Sequence, residues 1–264
     1  MLFLIYYYIL FNGDKMLSSF ILTTLAGLAT LLGTIPIFIK IKNKDRIIGV
    51  ACSFASGVMI CVSVVDLIPE AIRYLEVNYS GIIVVVLAFI FMTIGIITSY
   101  YLDKLVDNTS KGSNLFKVGI LSMIVIILHN IPEGIVTFIV SEKNLILGIS
   151  ICLAIALHNI PEGISIAVPI FYATGNRAKA IGYTFLSALS ELFGAILTYL
   201  FLGKYINDTY LGLILSFTAG VMLCISLERL YPTASNYDRK LSKIAFIIGM
   251  IFMLVSLQLN SLIA

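Results

Sequence analysis

The six-residue sequence His-Asn-Ile-Pro-Glu-Gly occurs twice in this chain, at residues 129–134 and 158–163, and the two copies contain both histidines. In a helix, a histidine and a glutamate four positions later point from the same face, so an imidazole nitrogen and a carboxylate oxygen can bind one metal ion. The asparagine adds an amide oxygen beside that face, and the proline frees a backbone carbonyl one turn earlier. The repeat therefore predicts a metal site built from His129, Asn130, Glu133, His158, Asn159 and Glu162.

The segments that must position these motifs are long and apolar. Of the 264 residues, 60% are hydrophobic and 12% are charged, whereas a soluble domain has roughly 45–50% apolar and about 25% charged residues. This composition excludes a water-soluble protein, and a spanning helix needs roughly 20 apolar residues. The sequence predicts an all-α integral membrane protein with eight transmembrane helices, in which proline-kinked helices 4 and 5 form a central metal site. The predicted spans are residues 17–39, 47–72, 81–102, 115–140, 145–171, 178–202, 210–231 and 241–263.

The start of the chain is open to two interpretations. Residues 1–16 form an N-terminal extension whose apolar part is too short to cross a bilayer, and Met16 directly precedes the first full span. Either the extension belongs to the protein or Met16 is the true start. In both cases residues 17–264 form one eight-helix domain.

The basic residues predict how the chain is oriented. Lysine and arginine are enriched in the cytoplasmic loops of membrane proteins. The connections between spans 1 and 2, 3 and 4, 5 and 6, and 7 and 8 carry thirteen of the 17 basic residues, and the opposite side carries the other four. This bias predicts a multi-pass protein of the inner or plasma membrane with both termini outside the cytoplasm. The net charge of +3 therefore reflects membrane loops, and no nucleic acid is expected as a partner.

A third carboxylate accompanies the two repeats. Glu191 follows Glu162 at the same spacing that separates Glu162 from Glu133. All three fall near the middle of their own spans, where an acidic residue costs about 2.5–3.5 kcal/mol to insert. No lysine or arginine lies at this depth. The compensating charge is therefore a divalent metal ion or protons shared with the histidines.

Polar residues on two other spans could line a path to this site. Helical spacing on span 2 aligns Met59, Ser63, Asp66 and Glu70, and Glu228 lies near the inner end of span 7. Such residues either attract cations in a vestibule or form ordinary helix contacts and interfacial charges. The spacing alone leaves both interpretations open.

The sequence resembles the ZIP (zinc/iron-regulated transporter-like) family of metal permeases, of the bacterial ZupT-like type. The resemblance rests on the doubled HNIPEG motif and on ALHNIPEGISIAVPIFYATGNRAKAI at 156–181. SFASGVMICVSVVDLIPEA at 53–71, SALSELFGAIL at 187–197 and AGVMLCISLERLYP at 219–232 also fit it. It covers nearly the whole chain from Met16 onward. One departure is the connection at 103–114, which lacks the histidines found there in many relatives.

The resemblance implies an eight-helix carrier that moves zinc and other divalent metals into the cytoplasm through a two-metal site. It implies one ion bound by His129, Glu133 and Glu162, with Met59 on the entrance side. A second ion would be bound by residues of both repeats and of span 6, with Glu133 and Glu162 bridging the two ions and His158 nearby: Asn130, Glu133, Asn159, Glu162 and Glu191. Homodimers are plausible from the family.

The ligand types restrict the metal. Imidazole and carboxylate without thiolate fit zinc, ferrous iron, manganese, cobalt or cadmium, and the resemblance favours zinc. The metal is then a transported substrate, and the sequence predicts no cofactor and no enzymatic activity. Two alternatives are an intramembrane zinc-dependent hydrolase and a metal sensor that binds without flux. A zinc protease would usually show His-Glu-x-x-His, but asparagine follows both histidines here and the fifth residue is glutamate.

Overall fold

The computed structural model describes residues 15–39, 42–110, 112–203 and 205–263, without the side chains of residues 260–263. These residues form helices and short connections, with no β-strand among them. Eight helices are long and apolar enough to cross a membrane, as predicted. They are α1 (Lys15–Phe38), α2 (Lys44–Glu76), α3 (Ile82–Thr109), α4 (Asn114–Lys143), α5 (Leu145–Thr174), α6 (Arg177–Leu202), α7 (Asp208–Tyr237) and α8 (Arg239–Ile263).

The helices agree with the predicted spans in number and order. Helix α1 begins at Lys15, slightly before the predicted span, and most of the predicted extension lies outside the described residues. Helix α7 extends beyond the predicted span 210–231 at both ends, because it begins at Asp208 and continues to Tyr237. Glu228 and Arg229 lie within this helix.

Four helices depart locally from α-helical geometry. The second half of α1, Ala29–Phe38, is a 3₁₀ helix that contains Pro36. Wider π-helical turns occur at Ser63–Leu67 in α2, Thr198–Leu202 in α6 and Ser226–Leu230 in α7. A π-turn inserts an extra residue into a helix and is frequent at functional sites. The segments in α2 and α7 are the ones that carry Asp66, Glu228 and Arg229.

The chain contains an inverted internal repeat. Residues 54–71 of α2 read FASGVMICVSVVDLIPEA and residues 217–234 of α7 read FTAGVMLCISLERLYPTA, which are identical at nine of eighteen positions. The π-turns occupy equivalent places in the two segments. Helices α4 and α5 form the second repeated pair through their HNIPEG motifs. Within each pair one helix crosses the membrane in the opposite direction to the other, as in transporters built from inverted repeats.

Glycines bring the eight helices together in four pairs. At each of these glycines a Cβ atom would lie less than 3.0 Å from the backbone of the partner helix, so only glycine permits the contact. Small residues allow close helix packing in membranes. The pairs are Gly33 with Gly163 (α1–α5), Gly134 with Gly194 (α4–α6), Gly57 with Gly249 (α2–α8) and Gly95 with Gly220 (α3–α7). They divide the helices into one bundle of α1, α4, α5 and α6 and a second of α2, α3, α7 and α8.

The connections between the helices distinguish two ends of the molecule. We call the inner face the end with the α1–α2, α3–α4, α5–α6 and α7–α8 connections, which the charge bias predicts to be cytoplasmic. The opposite end, with the α2–α3, α4–α5 and α6–α7 connections, is the outer face.

Candidate metal centre

The two repeats meet around the carboxylate of Glu133. Its Oε1 atom lies 3.0 Å from Nε2 of His129 and 3.0 Å from Nε2 of His158. Nε2 of His129 is also 3.3 Å from Oε1 of Glu162. At most 5% of each of these four side chains is exposed. Two imidazoles and two carboxylates thus converge within the protein interior, and His129, Glu133 and His158 satisfy the geometry of a metal-binding group.

The α4–α5 connection explains why the two repeats lie at one depth. A single residue, Asn144, separates the helices, and its side chain caps α5 by accepting hydrogen bonds from the backbone of Ile146 and Leu147. His129 precedes Asn144 and His158 follows it at almost the same separation along the chain. Because every residue of an α-helix adds the same rise along the axis, the antiparallel helices place both histidines at nearly the same level.

The glycine that ends the first repeat brings α6 into contact with it. A Cβ atom on Gly134 would lie less than 3.0 Å from the carbonyl of Glu191, and one on Gly194 would meet the carbonyl of Ile131. The two helices therefore touch backbone to backbone. This contact places the fully buried Glu191 beside the HNIPEG motif of α4.

Asn159 connects Glu191 to α1. Its side-chain amide donates one hydrogen bond to the carbonyl of Ala26, at 2.9 Å, and another to Oε1 of Glu191. The structure thus divides the predicted ligands into two adjacent groups. The first is His129, Glu133, His158 and Glu162, and the second contains Asn159 and Glu191. His158 lies in the first group, against Glu133, whereas the resemblance placed it near the second ion.

Many polar atoms of this centre have no hydrogen-bond partner among the described residues. Burying an unpaired polar group costs free energy, so native interiors pair nearly all of them. The unpaired atoms are Nδ1 of His129 and His158, Oε2 of Glu133, Glu162 and Glu191, Oδ1 of Asn159, and both side-chain amide atoms of Asn130. Their nitrogen and oxygen donors match the ligands that zinc and similar divalent ions accept. The residues present therefore fit a metal ion as substrate.

A cavity of about 520 Å³ leads from this centre toward the outer face. Glu133 and His158 line its inner end, and Asp66 and Glu70 of α2 line its wall. Arg73 also lines this wall and forms an ion pair with Glu70. Asp66 therefore contributes a carboxylate that this arginine does not bind.

The remaining predicted pathway residues lie elsewhere. Met59 and Ser63 are fully buried, and Met59 is part of the apolar core. Neither belongs to the described lining of the outer cavity. Glu228 lines a separate cavity of about 640 Å³, formed by α3, α4 and α7 in the inner half of the molecule. We call this second space the inner cavity.

Sequence reasoning missed an ionic network at the mouth of the inner cavity. Arg229 binds Asp103 through Nε, at 2.5 Å, and through Nη2, at 2.7 Å, and it also binds Asp107. Lys117 lies 3.5 Å from Oδ1 of Asp107 and donates a 2.9 Å hydrogen bond to its backbone carbonyl. The similarity between residues 54–71 and 217–234 is the signal that could have drawn attention to Arg229. In the second segment, Arg229 occupies the position that Asp66 has in the first.

Together, the eight apolar helices and the buried histidine–carboxylate centre define the class of multi-pass membrane proteins with a candidate metal centre between their helices. A family model described as ZIP zinc transporter matches residues 107–257. The chain belongs to the ZIP family.

Several relatives align with this chain over nearly their whole length. The chain is 40% identical to the zinc transporter ZupT of Clostridium perfringens, with 94% of this chain and 98% of that protein aligned. It is 38% identical to the zinc transporter ZupT of Streptococcus mutans, over 94% of this chain and 99% of the relative. The zinc transporter ZupT of Oceanobacillus iheyensis is also 38% identical, over 93% of this chain and 99% of the relative.

Proposed function

We propose that this protein transports zinc ions across the membrane through the centre formed by its two HNIPEG motifs. The observation that carries the proposal is the position of Glu133. Its buried carboxylate lies 3.0 Å from both imidazoles and also lines the end of a cavity that leads toward the outer face. A metal ion entering that cavity meets an anionic, nitrogen-containing ligand set. The names of the relatives and the family model support zinc as the ion.

The centre contains enough ligand residues to bind two ions. His129, Glu133, His158 and Glu162 are suited to bind one ion, and Asn130, Asn159 and Glu191 can contribute to a neighbouring one. Glu133 and Glu162 each have a second oxygen without a partner among the residues that the structure describes, as a bridging carboxylate requires. Ferrous iron, manganese, cobalt and cadmium accept the same ligands and are further candidate substrates.

Inward movement is the direction that the membrane potential favours. Each elementary charge that crosses 100 mV gains about 2.3 kcal/mol, so a divalent ion gains about 4.6 kcal/mol. This energy suffices for accumulation inside a cell without a second coupled ion. The charge bias of the loops, which predicts a cytoplasmic inner face, agrees with entry through the outer cavity.

The test is zinc flux into liposomes that contain purified protein and a trapped zinc-sensitive dye. An inside-negative potential is imposed, and the unaltered chain is compared with Glu133→Gln and Glu162→Gln. The matched control is Glu142→Gln, because Glu142 is an exposed carboxylate on the same helix as Glu133. We expect flux in the unaltered chain and the control, and strongly reduced flux in the other two.

Absence of flux for every candidate metal, in protein that still binds zinc, would reject the transporter and favour the metal sensor. Metal-dependent cleavage of peptide or lipid by the purified protein would instead favour the hydrolase. Equal flux in all variants would show that ions cross elsewhere.

A further inference from the structure

The inner and outer cavities occupy equivalent places in the inverted repeat. The alignment of α2 with α7 matches Asp66, in the outer cavity, with Arg229, in the inner one. The equivalent glycines Gly95 and Gly249 align α3 with α8 in the same way. This alignment matches Tyr100 with Leu254 and Asp103 with Leu257. Tyr100 and Asp103 line the inner cavity, and Leu254 and Leu257 line the outer cavity.

The two cavities differ in how far they reach. Along α5 the outer cavity is lined by Ile151, Ala154, Ile155 and finally His158 of the metal centre. When the two HNIPEG motifs are superposed, each of these α5 residues has a counterpart on α4. The counterparts, in the same order, are Ser122, Val125, Ile126 and His129. All four counterparts are buried, and the described lining of the inner cavity on α4 consists of Leu121. The passage from the inner cavity to the centre is therefore closed in this conformation.

The ionic network lies at the inner cavity, the one whose passage to the metal centre is closed. Arg229 is held by Asp103 and Asp107 of α3, whereas the outer cavity has leucine at the position equivalent to Asp103. Lys117 extends the network to α4, so Asp107 joins the two four-helix bundles at the inner face. Separation of the bundles there requires the contacts between Lys117 and Asp107 to break, and Arg229, within the second bundle, holds Asp107 in place for them.

We propose that the network of Arg229, Asp103, Asp107 and Lys117 is an ionic gate that keeps the inner cavity separate from the metal centre. When the network opens, the buried α4 face that begins at Ser122 becomes the wall of an exit passage to His129. The inference rests on the proposed transport function, because a binding protein without flux needs no exit.

The position of Ser122 provides a direct measurement of this passage. Ser122 is fully buried and its hydroxyl has no hydrogen-bond partner in the described part of the chain, so Ser122→Cys is a small change. It is made in a chain in which the four native cysteines, Cys52, Cys61, Cys152 and Cys224, are replaced by serine. The protein is placed in nanodiscs, and the rate of labelling at position 122 by a charged maleimide is measured.

The gate variants are Arg229→Gln and Asp107→Asn, each combined with Ser122→Cys. Loss of an ion pair of this kind shifts a two-state equilibrium modestly, so we expect labelling to become about fivefold faster. Arg229→Lys keeps the charge but offers one nitrogen where arginine uses two, so it should label at a rate between those of the unaltered chain and Arg229→Gln. Arg73→Gln removes an ion pair at the outer cavity and should leave labelling at position 122 unchanged.

Unchanged labelling in both gate variants would overturn the proposal, provided that zinc still raises their thermal stability as it does in the unaltered chain. If one variant fails to fold, the other decides the result, because each breaks the contact between Arg229 and Asp107. If Arg73→Gln accelerated labelling at position 122 as much as the gate variants do, that result would also overturn the proposal. Failure of the transport function is seen separately, as absence of zinc flux in the unaltered chain whatever the labelling rates.

Discussion

Oε1 of Glu133 lies 3.0 Å from Nε2 of His158, although the two residues belong to different helices. The same oxygen lies equally close to His129, one turn earlier on its own helix. Glu133 is therefore the residue through which the two HNIPEG motifs act as one centre.

Zinc should stabilise the folded protein through Glu133. A ligand that binds only the native state adds about 2.7 kcal/mol when its free concentration is 100 times its Kd. In detergent, zinc should raise the thermal unfolding temperature of the unaltered chain, and a chelator should reverse the increase. Glu133→Gln should lose most of this response because it removes the charge shared by both imidazoles. A full response in Glu133→Gln would show that zinc binds away from this carboxylate.

The two asparagines of the repeats should differ in their effect on stability. Asn159→Leu leaves the carbonyl of Ala26 and Oε1 of Glu191 without a donor, and each unsatisfied buried group costs about 1–3 kcal/mol. Asn130→Leu removes no hydrogen bond within the described residues, because neither side-chain amide atom of Asn130 has a partner there. Thermal unfolding without metal should therefore show a larger loss for Asn159→Leu. Zinc titration should show weaker binding in both variants, and equal losses of stability would contradict this division.

The backbone contact between α4 and α6 should make Gly194 intolerant of a larger side chain. Gly194→Ala places a methyl group less than 3.0 Å from the carbonyl of Ile131, and such overpacking costs about 1–3 kcal/mol. Gly182→Ala, on the same helix, is the control because its Cβ meets no atom within 4 Å. The control should gain about 0.5–1 kcal/mol, since alanine is the better helix former. Unfolding temperatures that move in the same direction would refute the close contact.

Asp66 should govern how zinc enters the outer cavity. Removing its charge lowers the local attraction for cations, which acts mainly on binding and weakens as salt screens it. We expect Asp66→Asn to raise the KM for zinc flux several-fold at low ionic strength, with a smaller effect at high salt. Glu76→Gln is the comparison, because Glu76 is exposed on α2 and outside the described cavity lining. A similar change in KM for both variants would mean that only overall charge matters.

The sequence by itself determined the eight helices, and it predicted the residues of the centre. Long apolar runs can satisfy their backbone hydrogen bonds in lipid only as helices, so hydropathy alone predicts the architecture. The doubled motif predicted the ligands, because histidine and glutamate one turn apart on a buried helix have few roles other than binding a cation. The one-residue connection at Asn144 then places both motifs at the same depth.

Only the tertiary structure decided which residues meet. The pairing of His158 with Glu133, and of Asn159 with Glu191, depends on the rotation of α4, α5 and α6 about their axes, which their nearly uniform hydrophobicity does not encode. The glycine contacts set those rotations, and each requires a partner distant in the chain. The same limit applies to the cavities. Asp66 and Glu228 look alike as interfacial carboxylates in the sequence, but packing places the first in a cavity that reaches the centre and the second in one that does not.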